Sequence, residues 1–262
     1  MKITLFTTNK NRHNYLINLL SKISDELFVV QECGTIFSGI VPGHYPASET
    51  MKEYFEQVND AQSKLFGNSY VNSSSKNIKL LPILSGDLNK CSLTFLSDFL
   101  KSDIYVVFGS SYIKRELVDY LVKQKAINIH MGVSPYYRGT DCNFWALYDN
   151  NPHLAGATIH MLSKGLDSGP MLYHAMSNIK TNPFEYTMST VKAAFHSIAE
   201  RIEDKSIFEI KPIIQNKKNE IRYSKKIEFN DEVVKKYFNK EINLNSKKFD
   251  NSLLKEPFFL NT

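Results

Sequence analysis

Apolar residues in the first hundred positions alternate between short continuous runs and helical spacing. The runs predict strands over 3–7, 27–30 and 78–83. Helical spacing predicts one helix over about 15–23 and another that begins at Ser48. Strands and helices thus alternate along this half of the chain, which favours an α/β protein over an all-helical or all-strand one.

The centre of the chain carries a stronger pattern. Asn182, Pro183 and Glu185 form a helix start, with an N-cap amide, a proline at the first position and an acid at the third. The predicted fold is an open, mainly parallel twisted sheet with helices on both faces, in which ligands bind beyond the carboxyl ends of the strands. The pattern predicts strands over 104–108, 126–130, 157–162 and 171–175, and helices over 114–123 and 182–204.

Composition supports a folded chain with one unusual segment. Of 262 residues, 42% are hydrophobic and 23% charged, as in ordinary globular proteins. Residues 217–248 hold ten basic and five acidic side chains, so they carry the whole net charge of +5. We expect the chain to divide into a main domain over 1–205 and a short basic C-terminal appendage over 206–262. The appendage is poor in the interleaved aromatics that stack bases, so we expect no nucleic-acid partner.

Compartment and metal content follow from what the sequence lacks. The apolar N-terminus is short for a signal peptide, and no apolar run approaches the length of a membrane helix. Cys33, Cys91 and Cys142 have no paired spacing, so neither a disulfide framework nor a zinc site is indicated. We expect a cytoplasmic protein that holds no metal and contacts no membrane.

Candidate chemistry is concentrated between 126 and 172. Asn128 and His130 are two apart at the end of a strand, so their side chains share one face. Asp167 lies in a turn bounded by Gly165 and Gly169, which can direct its carboxylate back toward the strand end. An amide, an imidazole and a carboxylate at one place can stabilise an oxyanion and move protons.

These residues, with the loop 134–139 that contains Pro135 and ends in glycine, resemble the signature of formyltransferases that use 10-formyltetrahydrofolate. The likeness is strongest over 103–175 and ends near 205. It implies a formyltransferase-type Rossmann-like core, a homodimer and catalysis by Asn128, His130 and Asp167, with no metal. The amide would hold the oxyanion, and the imidazole, oriented by the carboxylate, would help to move a proton.

The resemblance also implies where folate binds. The pterin would lie between the 108–113 segment and the 162–167 loop, held largely by backbone groups. The expected folate contacts are Phe108, Gly109, Ser110, Ile113, Leu162, Lys164, Gly165 and Leu166.

Three features favour a nucleotide-sugar substrate among the members of this family. Only 58 residues follow Asp204, which is short for the C-terminal barrel of the tRNA enzyme. The segment 8–14 lacks the glycines with which the glycinamide ribonucleotide enzyme cradles a phosphate. Met1 opens the first strand, so the N-terminal regulatory domain of formyltetrahydrofolate hydrolase is not expected. The interpretation is formylation of a dTDP-4-amino-4,6-dideoxyhexose, with the glucose form expected, for O-antigen in lipopolysaccharide.

Several alternatives stay open. One is phosphoribosylglycinamide formyltransferase of purine synthesis, and another is a non-catalytic folate- or nucleotide-binding module.

A pyrophosphate requires cations, and a base or sugar can stack on aromatic rings. His160 is equally consistent with the site or with a sheet histidine. The expected substrate contacts are Lys10, Arg12, Tyr112, Tyr136, Tyr137, Arg138 and Gly139.

Overall fold

The computed structural model describes residues 1–41, 48–72, 74–244 and 257–260. One part of the sequence interpretation lies outside the described residues: the end of the basic segment, at 245–248. Among the described residues, no helix combines the length and apolar character needed to cross a membrane.

Strands and helices alternate as the sequence pattern predicts. The strands are β1 Lys2–Thr8, β2 Glu26–Cys33, β3 Ile78–Leu84, β4 Ile104–Val107, β5 Ile127–His130, β6 Tyr137–Gly139, β7 Ala157–Met161, β8 Met171–Ser177, β9 Arg222–Ser224 and β10 Phe258–Leu260. The helices are α1 Asn11–Lys22, α2 Glu49–Phe66, α3 Arg115–Lys123, α4 Cys142–Tyr148, α5 Pro183–Glu203 and α6 Asp231–Phe238.

Both predicted helix starts are capped by their own side chains. Asn182 Oδ1 accepts hydrogen bonds from the first-turn amides of α5, at 2.9 and 3.0 Å. Ser48 Oγ accepts one from Met51 N at 3.1 Å at the start of α2. Because these caps satisfy amides that have no partner within the helix, a local sequence signal is enough to place each start.

The main sheet has the order β10-β8-β7-β5-β4-β1-β2-β3. All its pairings are parallel except those of β7, which runs antiparallel to both β5 and β8. Leu5 faces one buried cluster with α1, α2 and α5, and Phe6 faces a second with α3. The predicted mainly parallel sheet with helices on both faces is therefore confirmed.

Several described residues beyond α5 pair or pack with earlier parts of the chain. β10 extends it as a parallel neighbour of β8, and β9 pairs in parallel with β6. Tyr237 of α6 is 4% exposed and contacts the rings of Tyr54, Phe144 and Phe184. The segment after α5 thus contributes strands and core residues.

Candidate active site

Two neighbouring strands bring four polar side chains to one face of the sheet. β5 and β7 pair antiparallel, with Asn128 opposite His160 and His130 opposite Thr158. Residues two apart in a strand point the same way, so all four face the same side. This register makes His160 a direct neighbour of the predicted catalytic strand end.

The predicted His130 and Asp167 side chains meet. His130 Nδ1 lies 3.3 Å from Asp167 Oδ1, and the two side chains are 6% and 11% exposed. The other ring nitrogen, Nε2, lies 3.1 Å from the carbonyl oxygen of Tyr137. Because a carbonyl only accepts, Nε2 carries a proton, and Asp167 faces the nitrogen on the opposite side of the ring. The carboxylate and the carbonyl together fix the plane of the imidazole.

His160 fixes the orientation of the Asn128 amide. His160 Nδ1 lies 2.8 Å from the carbonyl oxygen of Met161 and must donate to it. Nε2 of the neutral ring is then an acceptor, so its partner at 3.0 Å is the Asn128 amide nitrogen. Burial lowers the pKa of His160 to about 4 even though Asp167 opposes this effect, so the ring is neutral at pH 7. One Asn128 N–H therefore remains for an oxyanion.

The loop after β5 is held from the neighbouring strands. Thr158 Oγ1 donates to the Gly132 carbonyl at 2.6 Å and accepts from Ser134 N at 2.8 Å. His174 Nε2 donates to the Ser134 carbonyl at 2.8 Å. A Cβ at Gly132 would lie 2.6 Å from His130 Nε2, so this position has no room for a side chain. Glycine at position 132 therefore leaves the space that the imidazole of His130 occupies.

The two predicted folate segments face each other. Tyr112 hydroxyl donates to the Lys164 carbonyl, which joins them directly. Glu32, 1% exposed, accepts from Ser111 N and Oγ at 2.5 and 2.8 Å and so anchors the first segment. The predicted contacts on these segments divide by exposure: Phe108 and Ile113 are buried, Ser110 and Leu162 are half-buried, and Gly109, Lys164, Gly165 and Leu166 are exposed.

Two predicted cations lie at the start of α1. Lys10 Nζ bonds Ser38 Oγ at 2.8 Å, and Arg12 Nη1 donates to Gln62 Oε1 at 2.8 Å. Burial, reinforced by Arg12 and Lys226 and opposed by Asp141, lowers the pKa of Lys10 to about 7. Burial removes water from around the Lys10 cation, and a bound anion can replace the stabilisation that is lost.

The structure corrects the predicted substrate role of Tyr136 and Tyr137, which are 8% and 0% exposed. Tyr137 hydroxyl donates to Asp149 and accepts from Asn151, and its ring has no exposed face for a base or sugar. Gly139 ends β6 with φ +95°, and a Cβ there would lie 2.0 Å from Ser224 O in β9. Tyr137 is buried and Gly139 is half-buried in β6, which pairs with a strand more than 80 positions later.

Arg138, predicted to bind a pyrophosphate, is engaged within the protein. It is 7% exposed, and its Nη1 donates to Glu220 Oε2 at 2.9 Å. Nε and Nη2 donate to the carbonyls of Asp167 and Leu166 at 3.2 and 3.0 Å. These contacts direct the guanidinium toward the turn that carries Asp167.

Sequence reasoning missed Gln215 and Glu32 and left His160 undecided. The sequence signal for His160 is the alternation Thr158, Ile159, His160 in a strand, which needs the register to be informative. Gln215 lies in no periodic pattern. Within the described residues, no group of three or more His, Cys, Asp or Glu side chains is placed to hold a metal ion.

The chain is similar to known proteins over the segment that carries this site. Residues 97–205 match the family model described as formyl transferase. The methionyl-tRNA formyltransferase of Thermosynechococcus vestitus is 36% identical over 73 residues, which are 28% of this chain and 22% of that protein. The chain thus matches about a fifth of the length of this curated relative.

Solved structures share the overall fold. A sugar N-formyltransferase from Shewanella sp FDAARGOS_354 has a TM-score of 0.55 at 14% identity, over 87% of this chain and 78% of that one. The N-formyltransferase from Helicobacter canadensis, in complex with folinic acid and dTDP-3-aminofucose, has a TM-score of 0.51 at 12% identity, over 90% and 79%. Phosphoribosylglycinamide formyltransferase from Anaplasma phagocytophilum reaches 0.50 at 14%, over 80% and 88%. The formyltransferase fold is therefore shared by enzymes with different substrates.

Proposed function

We propose that the protein transfers a formyl group from 10-formyltetrahydrofolate to the amine of a nucleotide-linked amino sugar. The observation that carries the proposal is the contact of His130 with Asp167 at 3.3 Å, beside Asn128, inside the segment that matches the family. In the reaction, the sugar nitrogen forms a bond to the formyl carbon, and the bond from that carbon to the folate nitrogen breaks. One proton moves from the amine to that nitrogen.

The described side chains suit these steps. The free Asn128 N–H is available to the oxygen that becomes negative when the amine attacks. His130 has an acceptor at each ring nitrogen, so it can carry a positive charge next to that oxygen. It passes on the Nε2 proton by exchanging its contact with the Tyr137 carbonyl for one with the substrate. Asp167 balances this charge and holds the ring in place.

Folate and sugar are proposed to enter from different sides. The pterin would lie between the 108–113 segment and the 162–167 loop, where Tyr112 and Lys164 now touch. Lys10 and Arg12, at the start of α1, would bind the pyrophosphate. The ligands of the Helicobacter canadensis enzyme, folinic acid and dTDP-3-aminofucose, support this pairing of a folate with a nucleotide sugar.

The finer assignments extend this proposal. They are a dTDP-4-amino-4,6-dideoxyglucose substrate, a place in O-antigen synthesis, a cytoplasmic location and a homodimer. The competing substrate is glycinamide ribonucleotide, because its enzyme shares the fold. The segment 8–14, from the end of β1 into the first turn of α1, has no glycine, which favours the sugar over that ribonucleotide.

An amine panel tests the proposal. The protein is incubated with 10-formyltetrahydrofolate and dTDP-4-amino-4,6-dideoxyglucose, its galactose epimer, a 3-amino isomer or glycinamide ribonucleotide, and Asp167→Asn serves as the control. We expect formylation of at least one nucleotide sugar by the wild type only. Turnover of glycinamide ribonucleotide alone would overturn the sugar assignment, and no turnover of any amine would overturn the transferase assignment.

A further inference from the structure

Two buried side chains other than the predicted catalytic residues form hydrogen bonds to the turn that carries Asp167. Gln215 Nε2 lies 2.9 Å from the carbonyl oxygen of Asp167 and 2.8 Å from that of Gly169. Arg138 donates to Asp167 O and also to Leu166 O, at 3.2 and 3.0 Å. Three carbonyls of one short turn are therefore held by two side chains that are 8% and 7% exposed.

The chemistry of the two side chains determines these contacts. Carbonyl oxygens only accept, so the Gln215 amide must present its nitrogen, and both of its hydrogens are used. The planar guanidinium of Arg138 donates to two carbonyls through Nε and Nη2, which lie along one edge, and a lysine ammonium would not reproduce this geometry. Its third nitrogen, Nη1, donates to Glu220 at 2.9 Å.

The turn needs such support because its backbone is unusual. Asp167 has φ +46°, in the left-handed region that is unfavourable for most residues other than glycine. Without its carbonyl partners the turn would relax toward ordinary φ values. The carboxylate would then move from its position 3.3 Å from His130 Nδ1.

The chain beyond residue 205 supplies this support. Ile213 and Met171 exchange backbone hydrogen bonds of 2.7 and 2.8 Å, which brings Gln215 against the turn. Glu220 comes just before β9, the partner of the strand that contains Arg138. Gln215 and Glu220 both belong to the segment 206–262, which the sequence analysis predicts to be an appendage.

We propose that Gln215 is a positioning residue for Asp167, acting with Arg138, and that the segment 213–224 is therefore part of the formyl-transfer machinery. The inference rests on the proposed function, because it concerns how the carboxylate of that site is held. Gln215 touches neither substrate in this scheme and acts only through the turn.

The sharpest perturbation is Gln215→Glu. A carboxylate of the same size has no hydrogen to donate and faces two carbonyl oxygens. We expect kcat to fall on the order of 10²-fold, the cost of a displacement near 1 Å in a catalytic group, with KM for the nucleotide sugar unchanged. The deficit should shrink as the pH falls, because a protonated glutamic acid can donate one hydrogen bond. Gln124→Glu, at an exposed position after α3, is the matched charge control and should retain wild-type kcat.

A second variant and a second readout separate positioning from loss of structure. Gln215→Met keeps the length without the amide or the charge, and thermal unfolding shows whether each variant is folded. The nitrogen chemical shifts of the His130 ring report its contact with Asp167 without any turnover. We expect Gln215→Glu and Gln215→Met to move these shifts as Asp167→Asn does.

Two results would overturn the inference: folded Gln215 variants with wild-type His130 shifts, or a loss confined to KM. If the wild type formylates no amine, the proposed function fails, and the His130 shifts still decide whether Gln215 positions Asp167.

Discussion

Removal of the Asn128 amide is the perturbation whose effect the structure defines best. The side chain has two N–H hydrogens, and His160 Nε2 takes one at 3.0 Å. The other is free for the oxygen of the tetrahedral intermediate. Loss of one such donor costs about 3 kcal/mol, which corresponds to a 10²–10³-fold lower kcat. We therefore expect this loss for Asn128→Ala.

Asn128→Asp sharpens the same prediction. A carboxylate has nearly the same shape, cannot donate, and places negative charge where the oxyanion forms. We expect Asn128→Asp to be slower than Asn128→Ala. The new charge beside His160 Nε2 should also raise the pKa of that imidazole above its value of about 4.

Single-turnover formyl transfer with both substrates saturating measures the chemical step, and nuclear magnetic resonance of the His160 ring measures its titration. Asn128→Ala within about tenfold of the wild-type rate would refute the oxyanion role, since a lost donor costs more than that. An Asp variant faster than the Ala variant would contradict the proposed charge at this position.

Three further predictions follow from the contacts and charges of the site. Asp167→Asn should lower kcat by orders of magnitude while dTDP-sugar binding, measured by calorimetry, is retained; unchanged kcat would remove the carboxylate from the mechanism. Lys10 loses its charge as the pH rises above about 7. KM for the nucleotide sugar should therefore rise above this pH in the wild type and not in Lys10→Met. The same dependence of KM on pH in both proteins would contradict the pyrophosphate role. His160 and His174 have folded pKa values of about 4, lowered by burial from an ordinary 6.5, so the unfolded chain binds more protons between these values. The free energy of unfolding should therefore fall as the pH drops from about 6.5 to 4, by at most about 3 kcal/mol per histidine, and denaturant titrations of His174→Asn should show a smaller fall; an equal fall would contradict this assignment.

The features predicted correctly from sequence are those determined by interactions between residues that are close together in the chain. The strand runs, the Asn182 and Ser48 caps, and the shared face of Asn128 and His130 all depend on residues a few positions apart. The Asp167 contact is longer in range, and its prediction came from the glycine-bounded turn and a resemblance to a family, not from periodicity. Its geometry in the structure agrees with that prediction.

The features missed depend on contacts between distant parts of the chain. The loop 134–139 contains tyrosine, arginine and glycine, which are also common at ligand sites, yet its end pairs with β9 and is buried. His160 becomes informative only with the register of β5 and β7. The net charge of the segment after 205 reflects its exposed lysines. It carries no information about Gln215, which is neutral and is buried against the turn that carries Asp167.

Transfer of a labelled formyl group tests the central claim most directly. The protein is given 10-formyltetrahydrofolate with an isotopic label in the formyl carbon, together with a dTDP-amino sugar, and the products are resolved by mass spectrometry. We expect the label to appear as a formamide on the sugar nitrogen, and we expect His130→Ala to reduce this product by orders of magnitude. Label found only in free formate, or on the sugar at equal rates in both proteins, would contradict it.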